Sequence, residues 1–240
     1  MLIFFIFIIT LQWFQNRYTM MVNQMISALG EARVDKNEIG EKKKRWIVQI
    51  FYLPKNKMSM EGISYPGIQK LVKRGQVILT PIPDEYRKLK RKELMLQSWL
   101  WENTLAERIL IFGGNVVLCS NSLFELRDFN EFDYVGAPWS AEKGVGGDGG
   151  LSLRNRTLML AVLEDYEKYK IINLNEKISK TQTVYSINEI SVKKEKNPYS
   201  GTDLDDMIFV KGIRNLIKLN YPARIAAPSV STQKNVNFLY

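Results

Sequence analysis

The sequence predicts an α/β protein built on a mostly parallel sheet flanked by helices. Three observations lead there. Short β-branched and aromatic runs recur along the chain, segments with helical apolar spacing lie between them, and glycine or proline punctuates the joins. A length of 240 residues suits one such domain and is short for two. Sheets of this kind bind ligands beyond the carboxyl ends of their strands, so function is sought in the segments that follow strands.

Taken in order, the apolar run Leu2–Phe14 comes first. It is shorter than the ~20 residues of a membrane helix and fits a signal-peptide core or short signal anchor. No Lys or Arg precedes it, and a buried first strand is the alternative reading. The expected organisation is an N-terminal segment 1–18 followed by a single domain 19–240. "RWIVQIFY" (Arg45–Tyr52) reads as a buried strand. "YPGIQKLVKRG" reads as a short helix ended by Gly75, and "QVILTPIP" as the next strand. Glu93–Glu102 predicts a helix, since Met95, Leu96, Trp99 and Leu100 fall on one face. "RILIF" is a third strand. It runs into Gly113, Gly114 and Asn115, and "VVLCS" then resumes extended structure. "FDYVGAPW" and "GLSLR" are further short strands. Arg156–Tyr166 predicts a helix with Met159, Val162, Leu163 and Tyr166 on one face. Residues 168–200 are polar, Lys-rich and poorly periodic, which predicts a long loop. Thr202–Asn220 closes the domain as a helix, with Thr202 at its cap and Asp203, Asp205 and Asp206 in the favourable first turn.

Composition removes several chemistries. The chain has no histidine, so Ser-His-Asp triads, Cys-His pairs and His-ligated zinc are excluded. One cysteine, Cys119, rules out an intrachain disulfide. Acid/base work falls to carboxylates, Asn, Tyr or Lys. The net charge of +9 favours anionic partners; the runs Lys42–Arg45 and Arg87–Lys92 carry part of it and read as solvated surface. No nucleic-acid module accompanies them, so no nucleic-acid partner is expected. Asn155-Arg156-Thr157 matches a glycosylation sequon, but Asn155 reads better as a helix cap.

Gly144, Gly146 and Gly149 match G-x-G-x-x-G. A dinucleotide loop must follow a strand and open a helix. Here no buried strand precedes the glycines, and the alternating "LSLR" follows them. The remaining readings are a flexible turn or a loop whose bare backbone lets a ligand approach.

Four ordered motifs carry a family resemblance: "LIFGGNVVLCSNS" (Leu110–Ser122), "FDYVGAPW" (Phe132–Trp139), "VGGDGGLSLRNR" (Val145–Arg156) and "DDMIF" (Asp205–Phe209). Over roughly residues 45–233 the chain resembles a glycosyltransferase-like family catalogued as a domain of unknown function, itself similar to GT-A nucleotide-sugar transferases. The resemblance implies a GT-A-like, Rossmann-related sheet and transfer of a sugar from a nucleotide-sugar donor to a glycan or protein hydroxyl. It implies Asp206 as base, with Asp205 its neighbour. It implies that Asp148, Gly149, Gly150 and Arg154 shape the donor or acceptor site, supported by Asp133, Tyr134 and Trp139. A divalent cation, Mn²⁺ or Mg²⁺, would sit on the diphosphate. At that turn the family tends to carry an acid, where this chain has Gly113-Gly114-Asn115. Asn115 offers one neutral oxygen, a weak substitute for a carboxylate. The alternative is a degenerate relative that binds glycans or proteins without turnover. With the apolar N-terminus, the reading places the chain in the ER or Golgi lumen or anchored to a membrane through residues 2–14; the cytoplasm is the alternative.

Overall fold

The computed structural model describes residues 3–9, 46–52, 72–73, 75, 77–112, 126–138, 147–181, 198–199 and 205–226. Its centre is one six-stranded sheet. The strands are β1 (Ile3–Ile9), β2 (Trp46–Tyr52), β3 (Val77–Pro81), β4 (Arg108–Phe112), β5 (Tyr134–Pro138) and β6 (Gly147–Asn155), in the order β3-β2-β1-β4-β6-β5. β1, β2, β3 and β4 are mutually parallel, and β6 runs antiparallel to both β4 and β5. Strand order reverses between β1 and β4, which makes their carboxyl ends the switch point where such sheets take ligands.

The described part of the apolar N-terminus, Ile3–Ile9, is a strand of this sheet. Ile3–Ile9 pairs along its whole length with Trp46–Tyr52, and Ile3–Ile6 pairs with Arg108–Ile111 on its other side. A strand with neighbours on both sides satisfies its backbone in the sheet, and β-branched and aromatic residues suit that place. The expected boundary at residue 18 does not separate this segment from the domain. Among the described residues no helix is long and apolar enough to cross a membrane.

Val72 and Lys73 are helical, and Gly75 ends the turn at φ +66°, which favours glycine. Expected helix 93–102 is two short helices, α1 (Arg91–Met95) and α2 (Ser98–Glu102). Gln97 between them is extended (φ −96°, ψ 128°), and Trp101 Nε1 donates to the Met95 carbonyl at 2.8 Å, closing the corner. Two longer helices, α3 (Arg156–Thr181) and α4 (Asp205–Lys218), complete the described elements. α3 starts as the sequence predicts: Asn155 Oδ1 accepts the Leu158 N–H at 3.1 Å, the cap reading of that residue. It then continues through residues 168–181, which the sequence reads as loop. Near its middle the exposed pairs Lys168–Glu164 (2.8 Å) and Lys170–Glu167 (3.1 Å) support the helix.

α2, α3 and α4 pack on one sheet face. Phe51, Ile109, Ile111 and Tyr134 of the sheet meet Trp101, Leu158, Met159, Val162, Phe209 and Ile213 of the helices in one buried cluster. Gln49 also points into this layer and is fully satisfied. Its Nε2 donates to Thr80 Oγ1 and the Asn103 carbonyl, each at 2.9 Å, and its Oε1 accepts the Leu105 N–H. α3 and α4 approach closely at Gly212, where a Cβ would lie 2.3 Å from Val162 Cγ1 and 2.9 Å from the Tyr199 hydroxyl. After α4 the chain turns at Asn220 (φ +64°) and Ile225 bridges to Tyr134, covering the β5 edge.

Candidate site at the start of α4

Arg154 organises the site. On β6 it pairs with Ile109 of β4 on one side and Tyr134 of β5 on the other, so its side chain rises from the helix-covered face. Nε donates to Ser152 Oγ at 2.9 Å. Ser152 lies two residues nearer the carboxyl end of β4, so the guanidinium leans toward the ligand-binding edge of the sheet. Three rings enclose it, with centroids at 5.0 Å (Phe209), 5.2 Å (Tyr134) and 5.9 Å (Trp101). A planar guanidinium stacks this way and a lysine ammonium does not.

A wholly buried cation requires a counter-charge, and α4 provides it. Nη2 meets Asp206 Oδ1 at 2.8 Å. Burial works against the charged guanidinium, but Tyr134, Asp206 and Asp205 outweigh it and raise its pKa. Nη1 is buried and has no hydrogen-bond partner among the described residues.

Asp205 is 8% exposed. Burial, then the neighbouring Asp206 charge, pushes its carboxyl up to about 6, against the opposing pull of Arg154 and Arg91. Arg91 opens α1, which packs on α4. Sequence reasoning missed Arg91: it sits inside the basic run 87–92, and nothing in that run marks one residue as facing an acid across the fold. Lys88, Lys90 and Lys92 are exposed, as a solvated surface requires.

The Gly-rich stretch enters a strand and opens no helix. β6 begins at Gly147, and its glycine end lies at the carboxyl end of β4, where Leu151 pairs with Phe112. Between the pairs Gly136↔Ser152 and Ala137↔Asp148 the register slips: β5 advances by one residue while β6 runs through Leu151, Gly150 and Gly149. Such a bulge suits residues lacking a Cβ.

The structure thus joins Arg154, Tyr134, Asp205 and Asp206; Gly149 and Gly150 lie further along β6, toward the carboxyl end of β4. Asp133 is not joined to them. It precedes β5 and its carboxylate holds the frame: Oδ1 accepts from Asn155 Nδ2 at 2.9 Å, Oδ2 accepts the Arg224 N–H at 3.0 Å, and Arg108 lies 3.6 Å away. Trp139, Asn115, Thr202, Asp203 and the "VVLCS" segment lie outside the described residues.

The described residues do not fit Mn²⁺ or Mg²⁺. Such ions want six or more oxygens. Two carboxylates are present, one of them bonded to a buried guanidinium that would repel the ion. No larger acidic cluster occurs among the described residues.

Residues 80–240 match the family described as "Protein of unknown function (DUF5672)", and the chain belongs to that family. Two solved structures of the glycosyltransferase GlyE from Streptococcus pneumoniae TIGR4 are similar to it. The apo form shares 12% identity at a TM-score of 0.40, covering 91% of this chain and 43% of that one. The second shares 14% identity at a TM-score of 0.37, covering 77% and 40%. The chain therefore spans less than half the length of those proteins. No curated protein matches it.

Proposed function

We propose that the chain is a glycosyltransferase-like protein that takes a nucleotide-sugar donor at the carboxyl edge of the sheet. A carboxylate of the Asp205–Asp206 pair receives the proton of an acceptor hydroxyl on a glycan or protein. The acceptor oxygen bonds to the anomeric carbon, and the bond from that carbon to the diphosphate breaks with its electrons on the leaving group. The observation that carries this reading is the buried acid pair at the start of α4. It abuts a buried guanidinium that leans along β6 toward the glycine bulge and the carboxyl end of β4. The residues implied by the sequence resemblance and the residues assembled by the fold coincide at Arg154, Asp205 and Asp206.

The test is thermal unfolding of the full chain, β1 included, with UDP, GDP and their sugars, each with and without Mn²⁺. A ligand at about 100 times its Kd adds ~2.7 kcal/mol of stability. Stabilisation by one nucleotide sugar is expected and would name the donor class. A folded protein that responds to none of them overturns the reading and leaves a binding domain without a donor site.

A further inference from the structure

We propose that the two carboxylates divide the work: Asp206 is the permanent counter-ion of Arg154, and Asp205 is the group that takes up and releases the proton. The use of that proton rests on the transferase reading; the division itself does not.

The Arg154 guanidinium is wholly buried. Its walls are the rings of Trp101, Tyr134 and Phe209, and its described acceptors are Ser152 Oγ and Asp206 Oδ1. Only the second carries charge. A proton on Asp206 would leave a cation wholly buried with Nη1 already unpartnered, which is among the costliest states a core can hold. Asp206 is therefore committed to the ion pair with Arg154. The sequence motif points to this second acid as the base; the ion pair takes it out of that role.

Asp205 is placed otherwise. It is nearly buried, and among the described residues its side chain makes no ion pair. The charged groups acting on it are Asp206 on its own helix, Arg154 from β6 and Arg91 from α1. Burial and the fixed charge of Asp206 favour its protonated form, while the two arginines oppose it. With Arg154 already neutralised by Asp206, Asp205 is left able to cycle near neutral pH, where a general base works best.

The test uses the full chain labelled with ¹³C at aspartate carboxyls, assigned through the backbone. Carboxyl shifts are followed from pH 4.5 to 8. The Asp205 resonance is expected to titrate with a midpoint near 6. In Asp205→Asn, which keeps the Arg154 pair, that near-neutral titration should disappear. A flat Asp205 resonance, or a near-neutral titration surviving in Asp205→Asn, overturns the division. Because no substrate is involved, its failure is separate from the failure of donor binding: either result can be obtained without the other.

Discussion

α4 carries two polar clusters, one at its start and one about a turn from its end, and they are built on opposite principles. Toward the end, Asp165 Oδ2 accepts from the Tyr199 hydroxyl at 2.6 Å and from Asn215 Nδ2 at 3.0 Å. Tyr166 and Tyr169 pack edge-on against Tyr199 at 5.0 and 5.7 Å. Burial and then Asp165 push the Tyr199 phenol far above its usual range, so it remains a donor at any physiological pH. Donors and acceptor match, and the cluster ties residues 198–199 to α3 and α4. At the start, one of two adjacent carboxylates, Asp206, holds a buried guanidinium whose Nη1 has no hydrogen-bond partner among the described residues. A matched network specifies packing. A cluster with surplus charge and a missing acceptor is poorly suited to packing alone, and its remaining capacity is what a substrate uses.

Four substitutions sharpen or break this contrast. Asp206→Ala should have the largest effect, because it strands the Arg154 charge in the core; a loss of about 3–5 kcal/mol in chemical unfolding is expected. A loss under 1 kcal/mol would show that Arg154 has another counter-charge. Asp205→Asn should act in the opposite direction. The folded carboxyl titrates near 6 and the unfolded one near ~4, so the folded state binds the proton more tightly. Asp205 therefore costs stability progressively as pH rises from about 4 to about 6, and the cost is constant above that. The Asn variant should be more stable than the parent at pH 7 by on the order of 1–3 kcal/mol, with the gain fading toward pH 4. A variant less stable at pH 7 would contradict the frustration assigned to this end. Gly212→Ala drives a Cβ into Val162 and Tyr199 and should cost about 1–3 kcal/mol by calorimetry. Tyr199→Phe removes one donor from Asp165 and should cost about 1 kcal/mol. It should leave the Asp205 titration unmoved, since the two clusters lie toward opposite ends of α4; a shifted midpoint would show that they are coupled.

Much of the sheet could be read from the chain because β2, β3 and β4 combine strand-length β-branched runs with clear glycine or proline stops. β1 has the same composition, but seven apolar residues at an N-terminus also describe a secretory core, and only pairing distinguishes them. The second half of α3 was hidden because its sequence carries no apolar stripe. The break at Gln97 carries no Gly or Pro; the Trp101 bond to Met95 closes it. At the site, Arg154, Asp205 and Asp206 were readable as motif residues. Their roles were not, because which carboxylate the guanidinium holds depends on the rotation of α4 over β6. Asp133 shows the same limit: it adjoins Tyr134 in sequence, yet its carboxylate is taken by Asn155 and the Arg224 N–H.

The most direct measurement is a map of backbone amide shifts in the labelled full chain as nucleotide sugars are added. The account predicts shifts concentrated at Gly147–Arg154 and Asp205–Phe209 for one donor, with Asp165, Tyr199 and Asn215 unmoved. Shifts centred on Asn215 and Tyr199, or none with any donor, would contradict the assignment of the start of α4 as the working end.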